Sequence, residues 1–186
     1  MIHQAGSDTL GVPSAWAPGA RDIELAWRPT LEGVYRALAP AVLGYFRSHH
    51  LDTAEDLLGD VFVSVARGLH RFSGDADDLR RWVFTIARRR KIDHLRRLRV
   101  RRLDTTTAPP DRAAEEDASA TVVDTDLVAA LQELTPLQRD VVVLRFVADL
   151  PLDAVARIVR RPTGAVKSLQ ARALNRLATR LDRPPT

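Results

Sequence analysis

Cysteine is absent from the 186-residue chain, and methionine occurs only once. The missing thiols exclude disulfide bonds, thiolate catalysis and cysteine-based zinc sites. No apolar run approaches the roughly 18 residues that a membrane-spanning helix needs, and no apolar segment follows a basic start as in a signal peptide. These absences predict a cytoplasmic protein without membrane insertion.

Catalytic motifs are missing as well. The sequence contains no glycine-rich phosphate loop and no GxSxG or HExxH motif. His49, His50 and His94 lack the carboxylate spacing of a metal site, so they are expected at the surface. We therefore predict no enzymatic activity, no catalytic residue, no metal and no cofactor.

Charge is abundant but unevenly distributed. The chain carries a net charge of +4, whereas residues 79–102 alone sum to +10 and residues 103–126 to −6. The basic segment begins with Leu79, Trp82, Val83 and Ile86 at helical spacing, which predicts a helix with one buried stripe. A solvated face or a localisation signal is the alternative, but a charge run of one sign favours contact with nucleic acid.

The first domain is predicted to be helical. Pro40 falls within an apolar helical pattern and should kink or break that helix. Asp52 and Glu55 have the spacing of a capping box at the start of the next helix. The loop SGDADD precedes the basic helix, with Asp77 or Asp78 as its N-cap.

Three acidic residues, Glu55, Asp56 and Asp60, fall within two turns of the second helix, one turn before Ser64. A helix N-terminus favours acidic side chains, which accounts for Glu55 and Asp56 but not for Asp60. An acidic face that binds a protein is the other interpretation, and the spacing alone leaves both open.

The fold class predicted is all-α, with two small helical domains joined by a flexible linker. The predicted boundaries are an N-terminal extension at 1–28, a first domain at 29–102, an acidic linker at 103–124 and a second domain at 125–183. Thr135, Pro136 and Gln138 form a strong helix-start signal in the second domain. A short helix, a tight turn and a longer basic helix follow, which is typical of a helix-turn-helix, winged-helix-like DNA-binding domain.

The last helix has the side chains that a major groove requires, because its first turns are small or hydrogen-bonding and cations follow. These are Thr163, Gly164, Ala165, Lys167, Ser168 and Arg172. A helical hairpin with a basic face is the alternative. In the basic helix, Trp82 and Phe84 could stack on bases of a single strand, although Trp82 lies on the apolar stripe and fits the core better.

The two halves together resemble the extracytoplasmic-function (ECF) group of bacterial RNA polymerase sigma factors, which keep sigma regions 2 and 4. Residues 54–72 (AEDLLGDVFVSVARGLHRF) are similar to the family pattern AEDLxQExFLxxW. Residues 80–97 (RRWVFTIARRRKIDHLRR) are similar to FxxWLFxIARNxxIDxxRR. Residues 134–177 resemble the family's region 4 in order and spacing.

This resemblance implies an alternative sigma factor that binds core RNA polymerase, at the clamp helices of its largest subunit and at its flap, and an anti-sigma factor as a further partner. The residues implied for polymerase are Glu55, Asp56, Asp60 and Ser64. Those implied for the melted −10 strand are Phe72, Ser73, Gly74, Asp75, Arg81, Phe84, Arg88, Arg89, Lys91, Arg96 and Arg97. Those implied for the −35 duplex are Arg161, Thr163, Gly164, Ala165, Lys167, Ser168, Gln170, Arg172 and Arg176. The alternatives are a one-component helix-turn-helix regulator that never docks on polymerase and, more weakly, a nucleic-acid-processing enzyme.

The sequence also departs from the family pattern. Arg89 stands where the family often has Asn, which puts the −10 base preference in question. Leu169 and Gln170 replace a common Arg-Leu pair, so Leu169 is expected to pack inward and Gln170 to point outward. Arg160 occupies the usual Gly of the turn and Pro151 the usual N-cap Ser, which predicts an altered approach of the chain to the helix-turn-helix.

Overall fold

The computed structural model describes residues 28–104 and 125–182, and within these ranges every regular element is a helix. The predicted extension at 1–28 and linker at 103–124 fall almost entirely outside the described residues. The helices are α1 (Leu31–Arg47), α2 (Ala54–Leu69), α3 (Ala76–Asp104), α4 (Thr125–Gln132), α5 (Pro136–Phe146), α6 (Leu152–Val159) and α7 (Thr163–Leu181). The all-α fold is thereby confirmed.

In the first domain, α2 packs against both α1 and α3. Pro40 lies inside α1 without ending it, so the predicted break is wrong. Leu38, Ala39 and Val42 are buried on either side of the proline, and this packing holds the helix together across the missing hydrogen bond.

Two predicted caps differ from the structure. The N-cap of α2 is Thr53, and the Glu55 carboxylate bonds Arg47 Nη2 at 2.8 Å instead of closing a capping box. Helix α3 starts a turn earlier than predicted, where the Asp75 carboxylate accepts the Asp78 N–H at 2.8 Å. The α3 error arises because acidic residues crowd that helix start, so several of them have the spacing of an N-cap.

In the second domain, the predicted start of α5 is confirmed in detail. The Thr135 side chain accepts the Gln138 N–H, and the Gln138 side chain returns to the Thr135 N–H. Helix α6 is the predicted short helix, and α7, which begins at Thr163, is the predicted longer basic helix. Arg160 adopts a left-handed conformation between them with φ of 55°, the backbone geometry for which the family uses glycine.

The two domains are packed together. Helix α3 contacts α6, and the buried apolar residues of α1, α2, α3, α5 and α6 form one continuous cluster. A second, smaller cluster joins α4, α5 and α7 around Ala173 and Leu177. The second domain therefore lies directly against the helix that carries the basic run.

Candidate nucleic-acid and polymerase interfaces

The N-terminal half of α7 presents an open face. Its predicted contact residues are all exposed except Gln170, which is half-buried. Val166 and Ala173 are fully buried beneath this face, and Leu169 packs inward as predicted. Helix α7 is thus anchored along one side, and its small and cationic side chains face solvent at the helix-turn-helix.

The acidic face of α2 is also open. Glu55, Asp56 and Asp60 are exposed on the side opposite the buried Leu57, Leu58 and Val61. The pKa of Glu55 is lowered by its hydrogen bond to Arg47. Ser64 is half-buried, and its hydroxyl accepts from Arg90 Nη2 at 2.8 Å, which ties this face of α2 to the basic helix α3.

The loop before α3 is held by an aromatic pair. Phe72 stacks on Trp82 with ring centroids 5.4 Å apart, while Ser73, Gly74 and Asp75 are exposed. Gly74 has φ of 145°, and a Cβ there would meet the Asp78 side chain at 2.9 Å, so the turn requires glycine. Trp82 packs against Gly68 of α2, in agreement with its interpretation as an anchor.

The predicted residues of α3 divide into two groups. Arg89, Arg96 and Arg97 are exposed, and Arg81 pairs with Asp78 on the same helix. Phe84 is fully buried and meets Tyr45 edge-on, so its prediction as a DNA-contacting residue is corrected. The sequence stripe missed Phe84 because α3 packs against three helices and has a wider buried surface than one stripe.

Arg88 and Lys91 are occupied by the second domain. Both contact the Asp140 carboxylate of α5, Arg88 through Nε at 3.2 Å and Lys91 through Nζ. Tyr45 donates its hydroxyl to Asp140 Oδ1 at 2.7 Å, and His49 Nε2 lies 3.0 Å from the same oxygen. Asp140 is only 3% exposed, so this is a buried polar cluster at the domain contact.

The cluster shifts the protonation equilibria of its members. Burial alone would raise the pKa of Asp140, but hydrogen bonding and charge from His49 and Lys91 outweigh it and hold that pKa well below its usual range. Burial lowers the pKa of Lys91 to about 8, against the attraction of Asp140. Burial likewise lowers the pKa of His49 and raises that of Tyr45. The favoured state at neutral pH is an ionised Asp140 beside charged Lys91 and neutral His49.

Sequence reasoning missed three members of the cluster. Tyr45 and Asp140 were not considered as site residues, and His49 was expected at the surface, but its side chain is only 5% exposed. Tyr45 and Asp140 are 95 residues apart, and no periodicity connects them. The one available signal was the charge of residues 79–102, where eleven cations accompany a single acidic residue, Asp93.

No helix in the described part of the chain is long and apolar enough to cross a membrane. Among the same residues, no group of three or more His, Asp and Glu side chains is placed to hold a metal ion.

Comparison with known proteins matches this arrangement. The family model for Sigma-70 region 2 matches residues 34–101, and that for Sigma-70 region 4 matches residues 130–179. The ECF RNA polymerase sigma factor BldN of Streptomyces coelicolor is 33% identical over 140 residues, which cover 72% of this chain and 53% of BldN. The ECF RNA polymerase sigma factor SigX of Bacillus subtilis is 31% identical over 137 residues, covering 69% of this chain and 70% of SigX.

A solved structure of similar fold is the sigma factor RpoE of Bartonella quintana in complex with the anti-sigma factor NepR. It has a TM-score of 0.69 and 27% identity, covering 82% of this chain and 98% of that chain. The two family models place the chain in the sigma-70 class, with region 2 followed by region 4. Within that class, the chain belongs to the ECF group of RNA polymerase sigma factors. This membership favours transcription initiation over a helix-turn-helix regulator that acts alone.

Proposed function

We propose that this chain binds core RNA polymerase through α2 and directs it to promoters, reading the −35 duplex with α7 and capturing the melted −10 strand with α3 and the preceding loop. The observation that carries the proposal is the exposed acidic face of α2, fixed to the basic helix α3 by the Ser64–Arg90 hydrogen bond. A regulator acting alone would gain nothing from an acidic face beside its DNA-contacting helix.

The proposed polymerase contacts are Glu55, Asp56, Asp60 and Ser64. The proposed −10 contacts are Phe72, Ser73, Gly74, Asp75, Arg81, Arg88, Arg89, Lys91, Arg96 and Arg97, without the buried Phe84. The proposed −35 contacts are Arg161, Thr163, Gly164, Ala165, Lys167, Ser168, Gln170, Arg172 and Arg176. The corresponding domains are the helical unit at 29–102 and the helix-turn-helix unit at 125–183.

The mechanism requires no covalent chemistry from this chain. Exposed loop residues beside the Phe72–Trp82 stack can hold an unpaired base, and the arginines of α3 can follow the phosphates of the strand. Because only the melted strand binds there, capture shifts the duplex equilibrium toward the open form. The chain would act in the cytoplasm without enzymatic activity, and the polymerase would supply catalysis.

An anti-sigma factor is proposed as a further partner. The related RpoE of Bartonella quintana forms a complex with the anti-sigma factor NepR, and the chain matches 98% of that sigma factor's length. A partner of this kind would cover the surfaces assigned here to polymerase and DNA.

The acidic face provides the test. Glu55→Arg with Asp60→Arg reverses two charges at exposed positions, so we expect binding to core polymerase to be lost while duplex binding by α7 is retained. The matched control is Asp77→Arg with Asp182→Arg, which changes the net charge equally at exposed positions away from α2. Unchanged core binding by the α2 variant, measured by co-elution with polymerase, would contradict the proposed function.

A further inference from the structure

The groups around Asp140 come from two different domains. Among the described residues, its side-chain partners are Tyr45, His49, Arg88 and Lys91, which all belong to the first domain, whereas the carboxylate belongs to the second. Two of the four partners are cations, and Lys91 is only 2% exposed. The first domain therefore contributes a preformed anion-binding site, and the second domain contributes the anion.

The site suits a phosphate group as well as a carboxylate. A phosphodiester carries one negative charge and two non-bridging oxygens, and guanidinium, ammonium and hydroxyl groups are its usual partners in proteins. Arg88 also donates through Nη1 to the Ile158 carbonyl at 3.3 Å, near the C-terminal end of α6, where the helix dipole is negative. The second domain thus presents two acceptors to one guanidinium, as a phosphate would.

The site lies in line with the proposed strand-binding face. Arg81, Arg88 and Lys91 are spaced by seven and three residues, which places them along one side of α3. A strand that follows this side of the helix would pass directly over the position that Asp140 occupies.

We propose that Tyr45, His49, Arg88 and Lys91 form a phosphodiester-binding site for the single DNA strand, and that Asp140 fills this site as an internal substitute until the domains separate. The inference rests on the proposed function. It adds that part of the proposed −10 surface is occupied by the chain's own Asp140. The second domain then competes with DNA for the same cations, and strand binding requires that Asp140 leave.

The test measures binding of a labelled 20-nucleotide oligothymidine to the full chain by fluorescence anisotropy. Asp140→Asn keeps the size of the side chain but removes its charge, and we expect the dissociation constant to fall by about tenfold or more, because apparent affinity scales with the fraction of free sites. Asp149→Asn is the matched control. It removes the same charge from the domain contact, where Asp149 meets Arg80 at 3.5 Å outside the site, and it should leave the affinity within about twofold.

Two further variants test whether a gain in oligothymidine affinity comes from the proposed phosphodiester site. Arg88→Ala with Lys91→Ala, added to Asp140→Asn, should abolish the gain, whereas Asp140→Glu keeps a carboxylate and should bind the strand as weakly as the unmodified chain. Unchanged duplex binding by α7 shows that the variants remain folded. Inorganic phosphate at millimolar concentration should leave the strand bound, and its complete displacement would assign the site to a free anion instead.

An Asp140→Asn chain that binds duplex normally but shows no gain for oligothymidine would overturn the inference. If that chain fails to bind duplex, an Asp140→Glu chain that gains strand affinity would overturn it equally. Neither result would affect the proposed function, which fails separately if the unmodified chain does not bind core polymerase.

Discussion

Helices α7 and α3 both carry cations proposed to contact DNA, but the folded chain treats them differently. Lys167 and Arg172 of α7 are exposed to solvent. Arg88 and Lys91 of α3 are covered by α5 and α6 and bound to Asp140. A cationic face is therefore not in itself an available DNA site, because an internal carboxylate can satisfy it first. In the proposed mechanism, the chain therefore meets a duplex through region 4 before it holds a single strand through region 2.

Removing the charge of Asp140 should disturb this arrangement most. Asp140→Asn leaves Arg88 and Lys91 buried without a carboxylate, and breaking a buried ion pair in this way costs about 3–5 kcal/mol. The measurement is urea-induced separation of the two domains, which should be the earliest transition. The distance between two labels placed across the domain contact reports it. Because the chain has no cysteine, Arg67→Cys and Asn175→Cys provide unique labelling positions on exposed residues of α2 and α7.

Asp149→Asn again provides the control. Its side chain is 83% exposed, so we expect the transition to move by at most about 0.5 kcal/mol. A shift as large as that of Asp140→Asn would show that general surface charge, and not the buried cluster, holds the domains together.

Duplex binding by the exposed face of α7 should not depend on the covered cations of α3. Lys167→Ala with Arg172→Ala should weaken binding to a random-sequence duplex and lower the slope of log affinity against log salt by about 1 per residue, because each removes a cation that can neutralise a phosphate. The strand affinity of Asp140→Asn should stay the same when these changes are added. Asn175→Ala, further along α7, is the control and should retain duplex affinity.

A substitution in the turn between α6 and α7 should have a smaller effect, on the stability of the fold. Arg160 holds φ at 55°, so Arg160→Gly should raise the free energy of unfolding by about 1 kcal/mol by relieving the left-handed backbone. Thermal unfolding measures this, with Arg161→Gly as the comparison, since Arg161 has no positive φ. Destabilisation by Arg160→Gly would mean that the arginine side chain contributes more than its backbone costs.

Low pH should favour separation of the two domains at the Asp140 contact. This is the smallest of the predicted effects. Burial lowers the pKa of His49 below 6.5 in the closed arrangement, so His49 takes up a proton on opening, and stability of the contact falls as pH drops below about 6.5. Arg88 and Arg139 face the cluster as fixed cations, Lys91 is charged below about pH 8, and Asp140 stays ionised because its pKa is depressed.

The pH range from 7.0 to 5.5 isolates this effect, because His49 is the only group of the cluster that titrates there on opening. The label distance across the contact should lengthen modestly over this range in the unmodified chain. In His49→Gln the label distance should not change with pH. An equal change in that variant would show that a group other than His49 titrates.

Local features of the fold were predictable from sequence, whereas the domain contact was not. The α5 cap follows from residues within one turn of each other, and the exposed face of α7 follows from helical spacing. Asp140 lies between Arg139 and Val141 like any acidic residue of a surface helix, and its partners are 49 to 95 residues away. Phe84 and His49 were misplaced for the same reason, since both are buried by helices distant in sequence.

The distance between labels at Arg67→Cys and Asn175→Cys, measured before and after addition of core RNA polymerase, tests the central claim most directly. The account predicts a single short distance in the free chain and a longer one in the polymerase complex, with free Asp140→Asn already shifted toward the longer value. A distance that is the same in the free chain, the complex and the Asp140→Asn chain would contradict it.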